Sequence, residues 1–345
     1  MSNDTTDDDK VNEQGGVDSV QSASLPSGYL FSLLGGMLAC LIAFCLFLFG
    51  LHVTDNLPPP AFSNSLCVDE KLSFMRDNPY EDPNLLVVGS SVAWRHVDGA
   101  TLASHFPGTR PLNGAFCGLQ ANQTLYVADW LLEREPTIKE VVMIIDPIDF
   151  ASCSKVPEAV FDRNDADDYV YEDAPAFPYY MRYFAPVSLM RNALTVQDQR
   201  TNETEMNSLV FTKYGDGPFL TDQSRGLFYG EPDPLDPTCF EALNSLASQL
   251  KEGGRKFMVI STPLHPDWKA QMDPDGSFLA NFNHEIVSSL ESTGAHYWDA
   301  DTEWKPGEEA FVDAIHMRWP AAQRFSQAVS RELYNQFKGF LLGGR

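Results

Sequence analysis

Between Tyr29 and Leu51 the chain is almost unbroken in its apolar character, and no Asp, Glu, Lys or Arg occurs from Ser19 to Thr54. Coiled as a helix, a run of that length reaches about 35 Å at ~1.5 Å per residue, enough to cross a bilayer's hydrocarbon core. It has no polar face of the kind a core helix needs. It is also longer than a signal peptide's apolar region, and no basic segment precedes it. The pattern predicts a single-pass anchor over residues 28–53. A cleaved signal peptide is the rival reading, with Ala61-Phe62-Ser63 resembling a cleavage site. Residues 1–27 are polar and acidic and are expected to be a disordered tail. Residues 54–80, with Pro58-Pro59-Pro60, read as a stiff linker.

Beyond the linker, short apolar runs alternate with amphipathic stretches. Leu85–Val88, Arg110–Asn113, Val141–Ile145, Lys256–Ser261 and Ala295–Trp298 read as strands, the best of them apolar on both faces. Gln123–Glu135, Cys239–Glu252 and Pro320–Phe340 read as helices; the last carries Phe325, Val329, Leu333 and Phe337 at spacings of three and four. Strands alternating with helices predict an α/β fold, a parallel sheet with helices on both faces, over residues 81–345. Residues 151–237 break this rhythm. They are rich in Asp, Pro and aromatic residues and form an insertion, read either as a cap or binding surface or as a small packed subdomain.

Charge narrows the classes of partner. The 345 residues carry 24 Lys+Arg against 48 Asp+Glu, a net charge of −24. Such a surface repels phosphate backbones, so nucleic acid is not an expected partner. Two of the six cysteines, Cys40 and Cys45, fall inside the apolar run. Cys67, Cys117, Cys153 and Cys239 have no C-x-x-C spacing, so neither a zinc site nor a redox pair is expected. They allow one or two disulfides in a non-reducing compartment.

Candidate chemistry collects at strand ends. Ser91, in Gly89-Ser90-Ser91, follows the first strand, where α/β sites form; its backbone N–H sits where it can donate to an oxyanion. A serine in this place is also a common helix N-cap. Asp313-Ala-Ile-His316 follows the last strand; an Asp three residues before a His can hold the imidazole so that it takes a serine proton. Asn113 to Gly118 follows the second strand, and its closing glycine can bring a backbone N–H close to a ligand. Asp146 and Asp149 follow the third strand and His265 the fourth, at the wall of any pocket there. Arg95 has two readings, a group for an anionic part of the substrate and a surface ion pair. His96 is placed facing away from Ser91, at the surface.

These blocks, in this order, resemble the SGNH or GDSL-type hydrolase superfamily over residues 85–340. Gly89-Ser90-Ser91 is similar to the family's Gly-Asp-Ser, Asn113–Gly118 to its second block, and Asp313-x-x-His316 to its last. The resemblance implies a flavodoxin-like three-layer domain in which Ser91 is the nucleophile, His316 the base and Asp313 its orienter. It also implies an oxyanion hole formed by the N–H groups of Ser91 and Gly118. The third block departs: Asp146-Pro-Ile-Asp149 stands where the family has Gly-x-Asn-Asp, so the amide donor is missing. Phe311-Val-Asp313-Ala-Ile-His316, the anchor and the insertion are similar to membrane-anchored members that acylate cell-surface polymers, such as alginate O-acetylation and D-alanyl-transfer proteins. That likeness implies an acyl donor, a polysaccharide acceptor and a membrane-embedded acyltransferase partner; the layout of a short tail, one span and a large C-terminal domain points to a domain held outside the cytoplasmic face of the inner membrane. No metal or organic cofactor is implied. An esterase or polysaccharide deacetylase, and an inactive glycan-binding or scaffold member, are the rival readings.

Overall fold

The structure, a computed structural model, describes residues 27–63 and 65–338. All of the expected acidic tail except Ser27 lies outside these residues, as does the end of the expected final helix. The chain divides into two units at Val53. The first is helix α1, Ser27–Val53, long and apolar enough to cross a membrane. Its side chains stay mostly exposed, Phe31 to 80%, where those of a soluble core helix would be covered.

The second unit is a doubly wound α/β domain. The five strands are β1 (Leu85–Gly89), β2 (Pro111–Asn113), β3 (Glu140–Ile145), β4 (Lys256–Ser261) and β5 (His296–Asp299). They lie in the order β2-β1-β3-β4-β5, and every pairing is parallel. Period-two alternation sends Leu86, Val88, Val141 and Met143 to one face of the sheet and Leu85, Val87, Val142 and Ile144 to the other. The first face is covered by α2 (Leu66–Asp77), α5 (Ala121–Arg134), α10 (Pro237–Glu252) and α12 (Ser277–Leu290). The second packs on α3 (Ser91–His96), α4 (Gly99–His105) and α14 (Trp319–Leu333). Because both faces are covered, the central strands are apolar throughout rather than alternating.

Residues 54–80 are not a linker alone. Helix α2 lies within them and buries Val68, Leu72 and Met75 in the core, so this stretch belongs to the domain. Its apolar positions are few and mixed with charge, and it escapes a reading based on periodicity. Two disulfides, Cys67–Cys117 and Cys153–Cys239, tie α2 to the loop after β2 and the start of the insertion to α10.

The insertion divides in its use. Its first part forms the short helices α6 (Arg163–Val170), α7 (Phe177–Arg182), α8 (Pro186–Ala193) and α9 (Val196–Thr201), with Phe161, Tyr169 and Tyr179 joining the core on the first face. Its second part, residues 208–230, has no regular structure; the Asn113 N–H donates to the Tyr214 carbonyl at 2.9 Å, the Gly217 N–H to the Trp94 carbonyl at 3.0 Å and the Arg225 N–H to the Val312 carbonyl at 2.8 Å. Helix α11 (Pro266–Met272) and the short α13 (Ala300–Glu303) complete the domain.

Candidate active site

The turn after β1 is set by Gly89. Its φ is +137°, and a Cβ there would collide with the Ile144 carbonyl oxygen and the Ala93 side chain, so only glycine lets β1 leave the sheet so close to β3. Ser90 then caps α3, accepting from the Val92 N–H at 3.5 Å. Ser91 becomes the first helical residue, and its own N–H is one of the orphan donors of a helix N-terminus.

The opposite side is a tight turn. Asp313 Oδ1 accepts from the backbone N–H groups of Ile315 (3.0 Å) and His316 (2.8 Å), and the turn is closed by the Val312 N–H donating to the His316 carbonyl at 2.8 Å. The His316 ring faces back on this carboxylate, with Nδ1 2.9 Å from Oδ2, and Nε2 lies 2.8 Å from Ser91 Oγ. Ser91, His316 and Asp313 thus form one hydrogen-bonded chain. Burial pushes the Asp313 carboxyl up, but the His316 ring and the two turn N–H groups outweigh it and hold the acid below its ordinary range. With Nδ1–H donated to that carboxylate, Nε2 is left to accept the Ser91 hydroxyl proton.

His96 is not at the surface. It is fully buried, its Nδ1 bonds Thr262 Oγ1 at 2.7 Å, and its Nε2 accepts the Met317 N–H at 2.8 Å. Burial, helped by His316, holds its pKa well below the ordinary histidine value, so the ring is neutral and pins the residue next to His316. The expectation failed because α3 turns its last residue inward against α14 rather than toward solvent.

Arg95 meets neither of its readings. It is buried, stacked between Trp94 and Phe219 at 4.1 and 4.3 Å, and donates to the carbonyls of Ser208 (2.9 Å) and Gly217 (3.4 Å). Burial, with Arg225 nearby, lowers its pKa to about 9. It pins the second part of the insertion onto α3.

That part of the insertion brings residues to the site that the sequence did not single out. Arg225 Nη1 lies 3.7 Å from Asp313 Oδ2 while its Nη2 donates to the Met206 carbonyl and Asn207 Oδ1. The rings of Tyr229 and Phe219 stand 6.0 and 6.1 Å from the His316 ring. Burial and the Asp313 and Asp146 carboxylates raise the Tyr229 hydroxyl, keeping it protonated. An aromatic-rich segment with one isolated Arg was the only available signal, and it has no period to place it.

Asp146 and Asp149 lie at the end of β3, buried. Asp146 Oδ1 accepts the Ile148 N–H at 2.6 Å, while its Oδ2 is buried without a hydrogen-bond partner. Burial raises Asp146 to about 6, against the pull of the Ile148 N–H and the His316 charge. Asp149 is driven well above the carboxylate range by burial and by Asp146 itself, so this pair retains a proton. Asn122 does not replace the missing amide: its Nδ2 donates to the Cys153 and Val156 carbonyls at 3.2 and 3.4 Å. Gly118, with φ +70° in an exposed turn, carries a backbone N–H that meets no acceptor among the described residues. His265 caps α11 through Nδ1, packs on Phe311 at 5.3 Å and donates its N–H to the Ala314 carbonyl, so it supports the Asp313–His316 turn from behind.

No protein-family model matches this sequence, and neither does any curated protein sequence. Among solved structures the chain is similar to the inhibitor-bound form of an M. smegmatis aryl esterase, at 11% identity and a TM-score of 0.36, covering 74% of this chain and 100% of that one. It is similar to a carbohydrate acetylesterase from Sinorhizobium meliloti at 12% identity and a TM-score of 0.36, with 74% and 100% covered. Likeness at this level is too loose to assign an activity.

Proposed function

We propose that this chain is a membrane-anchored serine acyl-transfer enzyme of the SGNH type, passing an acyl group, acetyl in the simplest case, to a cell-surface polysaccharide. The observation that carries the reading is the continuous chain Ser91 Oγ–His316 Nε2 at 2.8 Å and His316 Nδ1–Asp313 Oδ2 at 2.9 Å. In the first half-reaction Ser91 Oγ bonds to the carbonyl carbon of the acyl donor as His316 Nε2 takes its proton. The oxyanion of the tetrahedral intermediate is held by the N–H groups of Ser91 and Gly118. The donor's leaving group departs with the proton from His316, leaving acyl-Ser91. A sugar hydroxyl then attacks with His316 again as base, and Ser91 regains its proton as the ester product leaves. Asp313 holds the imidazole and stabilises its cation without accepting the proton itself.

Two features support transfer to a sugar. The Tyr229 ring beside His316, partly exposed, and Phe228, 71% exposed next to it, offer flat apolar faces to the C–H face of a pyranose. The oxyanion hole lacks the amide of a fast hydrolase, which favours an acyl-enzyme that waits for its acceptor. The apolar α1 supports anchoring, and the two disulfides support an oxidising location outside the inner membrane's cytoplasmic face. A membrane-embedded partner that delivers the acyl group fits a domain tethered in this way.

The test is labelling of the detergent-solubilised full chain by a fluorophosphonate, which reacts with an activated serine. Labelling is expected in the native chain and in Asp146→Asn, and is expected to vanish in Ser91→Ala and His316→Ala. Retained labelling of Ser91→Ala sinks the assignment. With a labelled chain, acyl transfer to an oligosaccharide measured against release to water separates the transferase from an esterase.

A further inference from the structure

Helices α7 and α8 leave Phe177, Met181, Phe184, Val187, Met190 and Leu194 exposed, Val187 to 80% and Leu194 to 81%. On α8 and just beyond it, Val187, Met190 and Leu194 follow one another at spacings of three and four, so they share one stripe. The opposite sides of these helices are already used: Tyr179, Tyr180 and Ala193 are buried. Scattered single apolar residues on a surface need no explanation, but six within eighteen positions, four of them on two successive helices, do.

Two further observations say what covers this face. The first is charge. In a chain with 48 acidic residues, positions 174–197 contain no Asp or Glu, and two Arg, Arg182 and Arg191. Arg182 already pairs with Asp165 at 2.5 Å and lies 3.9 Å from Asp162, so Arg191 carries the positive charge of this otherwise acid-free stretch. The second is the path of the chain. The Tyr180 hydroxyl donates to the Pro58 carbonyl at 2.5 Å, and Pro58, Pro59 and Ala61 line a cleft with Tyr183, Phe184 and Leu189. Pro58 follows the last residue of α1 by five positions, a stretch that extends to no more than about 18 Å. A surface pinned to Pro58 therefore stays close to the boundary of any membrane that holds α1.

We infer that the α7–α8 face is a lipid-contacting surface, seated in the headgroup and upper acyl region of the bilayer that α1 spans. Apolar side chains backed by Tyr, with Arg191 beside them and no acid in their own segment, are what an interfacial helix presents. The seat gives the domain a second attachment besides the span. The inference rests on the proposed anchor but not on the chemistry at Ser91.

The experiment uses the full chain with Cys40→Ser and Cys45→Ser, which removes the free cysteines. Single variants Val187→Cys, Leu194→Cys and, on α12, Val287→Cys are labelled without reductant with an environment-sensitive NBD dye and placed in phosphatidylcholine–phosphatidylglycerol vesicles. Val287, 49% exposed, is the reference. Doxyl-labelled lipid is expected to quench positions 187 and 194 at least twofold more than 287, while iodide in the water quenches them at least twofold less. Equal quenching at the three positions overturns the inference. So does protection of 187 and 194 from both quenchers, which would mean that a protein covers the face; energy transfer between differently labelled chains would then identify that protein as a second copy. Release of the chain from vesicles by carbonate would end the anchor and this surface together, leaving the Ser91 labelling result untouched.

Discussion

Asp146 has one carboxylate oxygen fixed by the Ile148 N–H and the other buried with no partner, within electrostatic reach of His316. A negative charge there opposes the oxyanion that forms when Ser91 attacks. It also favours the imidazolium, but Asp313, 2.9 Å from Nδ1, already does that. Asp146→Asn keeps the Oδ1 acceptor for Ile148 and puts an amide N–H where the unpaired Oδ2 stands. Removal of a single oxyanion donor can cost on the order of 10²–10³ in turnover, so gaining one is expected to accelerate hydrolysis of p-nitrophenyl acetate by about tenfold or more. Steady-state kinetics at pH 7 checks this, and an unchanged or lower kcat would show that Asp146 does not face the oxyanion. The same variant is expected to flatten any rate change centred near pH 6, because the acid that titrates there is gone.

The elements differ in how readily the sequence reveals them. All five strands and the helices Ala121–Arg134 and Pro237–Glu252 follow from apolar runs and amphipathic spacing, because the covered sheet imposes one simple rule on each. Ser91 was legible because it follows a strand whose end is easily placed, and Asp313 and His316 because an Asp three residues before a His is itself a short pattern. Helix α2, and the strap carrying Arg225 and Tyr229, were not, since their places depend on a disulfide and on backbone-directed bonds from Arg95. His96 is the clearest case. Its role rests on the loop after β4 and the turn before α14, brought together only by the fold. His96→Leu leaves the Met317 N–H buried without an acceptor, a cost of about 1–3 kcal/mol. It also frees the residue beside His316, so kcat is expected to fall about tenfold with KM nearly unchanged, and His96→Gln, which restores an acceptor, should recover part of the loss. A lowered melting temperature with native kcat well below it would make His96 a purely structural residue.

Across the whole domain, buried acids set the response to pH. Burial raises Asp69 to about 8, Asp146 and Asp216 to about 6, and Glu70 and Asp149 above their ordinary values. An acid whose folded pKa is raised binds its proton more tightly in the native state than in the unfolded chain. Its stabilising share is complete below the unfolded value near 4 and is lost as pH rises through the folded value. Asp313 and Asp236 are depressed and act in the opposite sense, but their share is lost only as pH falls below about 4; His96, kept neutral by burial, also acts in that sense below its unfolded value of about 6.5 and there offsets one of the raised acids. Lys71, lowered to about 7 by burial against the attraction of Asp216, changes the balance only above that pH. Self-repulsion at a net charge of −24 adds to the alkaline loss. The domain is therefore expected to be most stable between about pH 4.5 and 6 and to weaken toward pH 8, at a rate of up to 1.36 kcal/mol per pH unit for each acid still titrating. Thermal unfolding from pH 4 to 8 at constant ionic strength reads this directly. Asp69→Asn, remote from Ser91, should reduce the fall while leaving ester turnover unchanged; Asp69 Oδ1 accepts from the Ser63 backbone N–H at 2.8 Å and its hydroxyl at 2.9 Å, and an amide oxygen can still accept both. A melting temperature that stays level or climbs from pH 5 to 8 would mean that these carboxyls are ionised and satisfied in the native domain.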